Sequence, residues 1–365
     1  MKAKKVGFIG FGLIGGSIGK AIKAAYPNTT ILGHAAHEET LLQAHRAGIT
    51  EHAGFLPLEE FASVDLLFLC SPVRVNLEYL KKIKPYLSPD TLITDVGSVK
   101  GDIHAAVREL GLTAQFIGGH PMTGSEKTGF VHASPSLLEN AYYILTKDEA
   151  TDEHLLHDFS EYIASLKAIP LVLTPQTHDF ATAAISHLPH VISAALVNLV
   201  RNNDPDAILK TIAAGGFKDI TRISSSSPTM WQNICLENKT EILKLIALYQ
   251  EELEHFKLDI ASENDVGLYD DFSLAKDYRD SLPVKKASIL PRVYQCFVDI
   301  KDETGVIAKV ATLLAEHNIS LKNIGIINSR EFLHGALHIE LKTVKDQQQT
   351  IALLTEKGYT VFEKQ

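Results

Sequence analysis

Three short segments hold side chains whose types and spacing could do proton-transfer and anion-binding chemistry. The first is Gly119-His120-Pro121-Met122-Thr123-Gly124-Ser125-Glu126, which follows the apolar run Phe116 to Gly118. His120 is its only imidazole. An unperturbed imidazole titrates near neutrality, so it can accept a proton from an alcohol as hydride leaves the same carbon. A strand-end histidine held for structure is an equally open reading of the residue by itself. The second is Ser186-His187-Leu188-Pro189-His190, where Ser186 and His190, four apart, share a helical face. His187 and His190 have no acidic partner at matching spacing, so no metal site is expected. The third is Gly215-Gly216-Phe217-Lys218-Asp219-Ile220-Thr221-Arg222. Arg222 has the planar fork that clamps a carboxylate through two parallel hydrogen bonds, although a surface ion pair is the commoner fate of a lone arginine.

The elements that must position these residues begin with Val6-Gly7-Phe8-Ile9-Gly10-Phe11-Gly12-Leu13-Ile14-Gly15. This Gly-x-Gly-x-x-Gly follows an apolar strand, opens a helix and precedes another strand, the context that makes it a dinucleotide loop. Gly10 permits the tight turn, Gly12 lets a pyrophosphate approach the backbone, and Gly15 lets helix and strand pack closely. Residues 10–15 are therefore expected to hold the cofactor. The acid that would bind the ribose is missing: His34 ends the second strand, with no arginine there for a 2′-phosphate. NAD is expected over NADP, and His34 is either a ribose contact or a plain loop residue.

Compact apolar runs at Lys5 to Ile9, Thr30 to Gly33, Leu66 to Cys70, Thr91 to Asp95, Phe116 to Gly118, Tyr143 to Thr146 and Ile169 to Leu173 alternate with helical patterns such as Ile14 to Ala25, Glu39 to Ala47 and Val99 to Leu110. Such runs fit strands buried on both faces of a parallel sheet, so residues 1–172 read as a Rossmann-type doubly wound α/β domain. Ligands bind at the carboxyl ends of such strands. There lie Cys70-Ser71-Pro72-Val73, with Ser71 and Pro72 facing the cofactor, and Asp95-Val96-Gly97-Ser98-Val99-Lys100. Asp95 reads as a turn or cap residue, Cys70 as core. Residues 173–282 read as all-helical, with Pro189 kinking the helix Phe180 to Val200. Residues 283–292 read as a linker, and 293–365 as βαββαβ, the ferredoxin-like order.

Apolar residues make up 45% and charged residues 22%, so the chain can bury real cores. The formal charge of −9 argues against nucleic acid. Three scattered cysteines, Cys70, Cys235 and Cys296, fit a reducing, cytoplasmic setting without zinc or a redox pair. No membrane span is expected.

Gly119 to Gly129, Ser186 to His190 and Gly216-Phe217-Lys218-Asp219-Ile220-Thr221-Arg222-Ile223 together resemble prephenate dehydrogenase of tyrosine biosynthesis, over about residues 5–265. The segment Asp95 to Lys100 also fits. The C-terminal part resembles an ACT domain, with Asp302-Glu303-Thr304-Gly305-Val306 at its ligand loop. The resemblance implies NAD-dependent oxidative decarboxylation of prephenate, with His120 accepting the proton of the 4-hydroxyl and Ser98 holding that hydroxyl. It implies Arg222, His190, Ser186, Ser125 and Trp231 around the substrate, and Glu126, Lys218 and Asp219 as a gating ionic network. It further implies a homodimer through the helical domain and an amino-acid effector, tyrosine, on the ACT domain. Three rivals stand beside it: arogenate dehydrogenase, a β-hydroxyacid dehydrogenase using Lys218, and a non-catalytic NAD and amino-acid sensor.

Overall fold

The computed structural model describes residues 3–124, 127–282, 294–300, 305–327, 336–341 and 343–363. Contacts divide the chain into two compact units, Met1–Asp277 and Tyr278–Gln365.

The first unit opens with β1 (Lys5–Ile9), α1 (Leu13–Ala25), β2 (Thr30–His34), α2 (Glu38–Arg46), β3 (Leu66–Leu69), α3 (Val73–Ile83), β4 (Leu92–Asp95) and α4 (Gly101–Glu109). The four strands are parallel in the order β2-β1-β3-β4. All four residues of β3 are buried, as two-sided coverage requires. Phe8 and Phe68 stack across the β1–β3 seam with centroids 5.0 Å apart. Because β1 and β3 are neighbours, the loops after them flank a crevice, the switch point where dinucleotides bind.

The sheet then departs from the all-parallel expectation. Ile117 N–H donates to Ile93 O at 3.0 Å beside a parallel Ile93–Phe116 bridge, carrying the chain along β4. There follow β5 (Gly118–Pro121), β6 (Tyr142–Thr146), α5 (Glu153–Ser165) and β7 (Ile169–Leu173). β6 is antiparallel to β5 and parallel to β7, so the last two strands run opposite to the rest. His120, expected just past its strand, lies within β5, opposite Ile144.

From Pro175 the unit is helical: α6 (Pro175–Thr182), α7 (Leu188–Asn202), α8 (Ile208–Ile212), α9 (Gly215–Thr221), α10 (Pro228–Glu237), α11 (Lys239–Ala261) and α12 (Asp265–Ser281). One π-helical turn, Ala183–His187, joins α6 to α7. Pro189 has no N–H for the carbonyl of Ile185, and the wider turn falls on that residue. Pro175–Asn202 is therefore one helical run of 28 residues, with a mean hydropathy of 1.5 in its most apolar window. Residues 180–200 hold no Asp, Glu, Lys or Arg. By length and composition this helix could cross a membrane, which corrects the expectation that no segment would qualify. His178, Asp179, His187 and Ser193 are buried polar residues along it, an arrangement suited to a cavity wall.

The second unit contains β8 (Tyr294–Asp299), α13 (Val306–Glu316), β9 (Leu321–Ile327), β10 (Ala336–Leu341), α14 (Val344–Glu356) and β11 (Thr360–Glu363). The sheet is antiparallel with the order β11-β8-β10-β9, as a βαββαβ chain pairs in the ferredoxin-like arrangement. Cys296, Val298, Val310, Leu314, Leu337 and Ile339 pack between sheet and helices. The expected linker 283–292 and residues 302–304 of the expected ligand loop lie outside the described residues.

Candidate active site

The glycine loop does what its spacing implies. Gly10 has φ +94°, and a Cβ there would stand 2.5 Å from Ser71 Oγ. A Cβ on Gly15 would stand 2.4 Å from Gly10 O, so α1 packs on the turn only without one. A Cβ on Gly12, at the N-terminus of α1, meets nothing within 4 Å. That open space, lined by free helix N–H groups, is a phosphate cradle. Leu13 and Ile14 are half-buried at its edge. Phe11 differs from expectation: its ring is 1% exposed and packs on Phe8 and Phe130, so its side chain belongs to the core and only its backbone can face a cofactor.

Ser71 and Pro72 form the opposite lip, fixed by a residue sequence reasoning missed. Asn76 Oδ1 accepts from Ser71 N–H at 3.0 Å, and its amide donates to Ser71 O at 2.8 Å. His34 Nε2 lies 2.8 Å from the Tyr79 hydroxyl, while its buried Nδ1 has no partner. Burial lowers its pKa, so the ring is neutral. The end of β2, where His34 stands, is the position of the ribose-binding side chain in such folds, and no arginine stands nearby in sequence for a 2′-phosphate.

A cavity of about 570 Å³ is lined by Ser98, His120, Ser186, His187, His190 and Trp231, with Met122, Thr123, Thr182 and Ser225 to Ser227 among the rest of its wall. The cavity thus gathers residues from the loop after β4, from β5, from the π turn and from α10. Arg222 lines an adjoining hollow that shares His190, Ser225 and Ser226 with it. Ser125 and Glu126 lie outside the described residues. Lys218 and Asp219 are exposed on α9, and Glu126, the third member of the expected gating network, lies outside the described residues.

His120 is not alone. Its Nδ1 lies 2.8 Å from His178 Nε2, and His178 Nδ1 lies 2.7 Å from Asp179 Oδ1. An ionised carboxylate only accepts, so His178 donates from Nδ1 and accepts at Nε2. His120 must then donate from Nδ1, which leaves the Nε2 lone pair free for the cavity. Two buried partners have fixed the tautomer of a base. Burial, with His178, Lys100 and His187 around it, holds the His120 pKa well below 6.5, so the ring is neutral at pH 7. The sequence reading passed over His178 and Asp179 because a His-Asp pair at a helix start looks like capping.

Asp179 also binds the other side of the cleft. Its carboxylate accepts from Lys100 N–H at 2.7 Å and Gly101 N–H at 2.8 Å, capping α4 from α6. Asp95, read from sequence as a turn residue, does hold the turn through Gly97 N–H and is an ionic hub as well. It is fully buried against the Lys100 ammonium, accepts from Gly97 and Gly119 N–H, and Lys100 donates to Gly119 O at 2.7 Å. Both backbone groups of Gly119 are thereby pinned next to His120.

At the far wall, His190 donates from Nδ1 to Ser186 O at 2.9 Å and stacks on Trp231 at 3.6 Å. Burial lowers its pKa, opposed by the Ser186 carbonyl and reinforced by Arg222. Trp231 Nε1 is buried without a partner, a donor available to a ligand. His187, with a pKa lowered to about 4 by burial, faces Asn238 Nδ2 at 3.1 Å.

A dinucleotide cradle, a neutral base with fixed tautomer and a cation-bearing end wall define an NAD-dependent dehydrogenase of small carboxylic acids. Residues 18–178 match the nucleotide-binding domain of prephenate dehydrogenase, and residues 174–273 its dimerization domain. The chain is 36% identical to prephenate dehydrogenase of Bacillus subtilis, covering 93% of this chain and 92% of that protein. It is 35% identical to that of Lactococcus lactis, over 95% and 96%. The structure is similar to the prephenate dehydrogenase of A. aeolicus in complex with hydroxyphenyl propionate and NAD+, with 33% identity, a TM-score of 0.73, and 77% and 99% of the two chains covered. The chain belongs to the prephenate dehydrogenase family.

Proposed function

We propose that this chain oxidatively decarboxylates prephenate to 4-hydroxyphenylpyruvate, with NAD as hydride acceptor. The observation that carries the reading is the Asp179–His178–His120 chain, which points a neutral ring nitrogen into a cavity walled by His190 and Trp231. NAD held by the glycine loop would supply the hydride acceptor for the ring carbon bearing the hydroxyl. His120 Nε2 accepts the hydroxyl proton, and Ser98 beside it holds the oxygen. Loss of carbon dioxide from the resulting dienone aromatises the ring and makes the reaction irreversible, and the phenolate oxygen so formed takes the proton back from His120. The protein therefore needs chiefly to position the substrate and hold one proton in between. Arg222 binds carboxylate, with Trp231 Nε1 as a further donor and His190 on the wall at the pyruvyl end; Ser186 and Ser125 support that end, and Glu126, Lys218 and Asp219 gate the entrance.

Arogenate has one observation in its favour. His190, donating from Nδ1, presents a lone pair at Nε2, which suits an ammonium group. Purified protein assayed at 340 nm with NAD and prephenate, then with arogenate, then with NADP, decides. Turnover with prephenate and NAD supports the reading; turnover only with arogenate reassigns the side chain; no turnover with any pair refutes it.

The wider assignments follow from the same reading. Residues 1–172 bind the cofactor, 173–282 complete the substrate site and the homodimer, and 293–365 form a regulatory ACT domain for tyrosine. Leu199, Leu253, Tyr269 and Phe272 stand exposed on the helical part and suit a second copy of the chain. Three scattered cysteines, Cys70, Cys235 and Cys296, fit the cytoplasm. Tyrosine titrated against the intact chain and a chain ending near Asp280 tests the regulation; an equal response in both would place inhibition at the active site.

A further inference from the structure

The α11–α12 pair holds three ionisable side chains that the dehydrogenase reaction does not use. His255 and Asp259 are four apart on α11, and Asp271 comes from α12. His255 Nε2 lies 3.2 Å from Asp271 Oδ2 and 3.7 Å from Asp259 Oδ2, and the three atoms all lie within 4.8 Å of one another.

Two facts set this cluster apart from an ordinary ion pair. Asp259 is 9% exposed, and the buried Oδ2 atoms of Asp259 and Asp271 both have no hydrogen-bond partner. Asp259 Oδ1, by contrast, is taken by the Asn264 amide at 3.1 Å, which orients the carboxylate. Three ligand atoms therefore converge at contact distance without hydrogen bonding to each other. Both oxygens face the one imidazole of His255 without a hydrogen bond to it, and two carboxylate oxygens side by side repel. A cation among them relieves both. Ligands about 2.1 Å from a common metal stand roughly 3–3.5 Å apart, close to two of the separations here.

We propose that His255, Asp259 and Asp271 bind a divalent transition metal of the zinc class. One imidazole and two carboxylates suit zinc, whereas magnesium and calcium take oxygen ligands alone. His255 is half in solvent, which gives the ion a route in and leaves a position for water. The ion ties α12, which buries none of its own side chains, to α11. Its role is structural: it fixes the helix leading out of the first unit.

The test uses the full chain stripped with EDTA and titrated with zinc chloride by calorimetry, alongside Asp271→Asn and Asp259→Asn. One saturable equivalent is expected, weakened about 10–100-fold in either variant. Cobalt(II) added to the unmodified chain is expected to give the visible bands of a low-symmetry nitrogen and oxygen site, a readout independent of how the variants fold. Titrations identical in all three proteins would assign the zinc to other histidines and overturn the proposal. The absence of any saturable site would leave the cluster an ion-pair network between α11 and α12, and would overturn it equally.

Discussion

Replacing His178 by Asn isolates what the histidine chain contributes. The amide nitrogen of Asn sits where Nδ1 of histidine does, so the donor to Asp179 Oδ1 is kept. Nothing then reaches His120 Nδ1, which is now 2.8 Å from His178 Nε2. Asp179 keeps its bonds to Lys100 and Gly101 N–H, so the cap of α4 stands. The lost bond is ordinary while His120 is neutral and becomes charge-assisted when the ring takes the substrate proton. A hydrogen bond to a charged group contributes about 1.5–3 kcal/mol, so kcat is expected to fall about 10- to 150-fold. KM for prephenate is expected to hold, because His178 does not line the cavity. Initial rates of NADH formation at 340 nm, across pH, separate the terms. With the tautomer no longer fixed, activity should also fall off with acid differently from the unmodified enzyme. A kcat within threefold of the parent and an unchanged pH profile, in a protein with native circular dichroism, would refute the relay and leave His178 a buried structural residue.

Other outcomes follow from the same geometry. His120→Asn should lower kcat about 10²–10⁴-fold, the usual worth of a general base, with prephenate binding largely kept; an unchanged kcat removes His120 from the role. Arg222→Gln should act mainly on KM, since a bond present in ground and transition states is lost; an unaltered KM returns Arg222 to the surface. Gly12→Ala should leave thermal stability unchanged but weaken NAD, because its Cβ meets only the cradle, whereas Gly15→Ala should lower stability, because its Cβ strikes Gly10 O. His104 and His187 both have pKa values lowered to about 4, chiefly by burial. The unfolded chain binds these protons near pH 6.5 and the folded chain does not. Stability is therefore complete above pH 6.5 and lost as pH falls toward 4, by up to about 3 kcal/mol per ring. Urea midpoints that do not move between pH 7 and 4.5 would contradict this.

What could be read from the sequence was whatever a local pattern carries. The glycine loop, the β8-to-β11 unit and the apolar strands each signal themselves within a few residues, and the tight turn at Gly10 and the close packing at Gly15 are as the loop's spacing implies, with open space at Gly12. At Phe11 a loop position says nothing about which way a ring turns, and the core beside Phe8 and Phe130 takes the ring while the backbone stays in the loop. The turned direction of β6 and β7 depends on which edge the chain reaches after Phe116, a tertiary matter. His178 and Asp179 were invisible for the same reason: their meaning lies in Lys100, Gly101 and His120, all more than 55 residues away. The His255–Asp259 pair shows the helical spacing, but the third member comes from another helix.

The buried Asp95–Lys100 pair explains why the base can be both isolated and exact. An ion pair withdrawn from water gains little net stability over an apolar substitute, since desolvation offsets attraction. What it gives here is position. Asp95 holds Gly119 N–H while Lys100 holds Gly119 O, so the residue before His120 cannot shift along the sheet. The next residue of α4, and Lys100 itself, are held by Asp179, whose other contact orients His178. One carboxylate thus fixes the backbone before the base and another fixes its ring. Lys100→Met should therefore be worse than the loss of a single bond. It leaves Asp95 charged, buried and unpaired, which costs about 3–5 kcal/mol, and frees Gly119 O at the same time. Asp95→Asn with Lys100→Met should recover most of that stability, since no buried charge remains, yet should not recover kcat, since Gly119 is still released. Recovery of both together would mean that the pair serves stability alone and that His120 needs no such anchor.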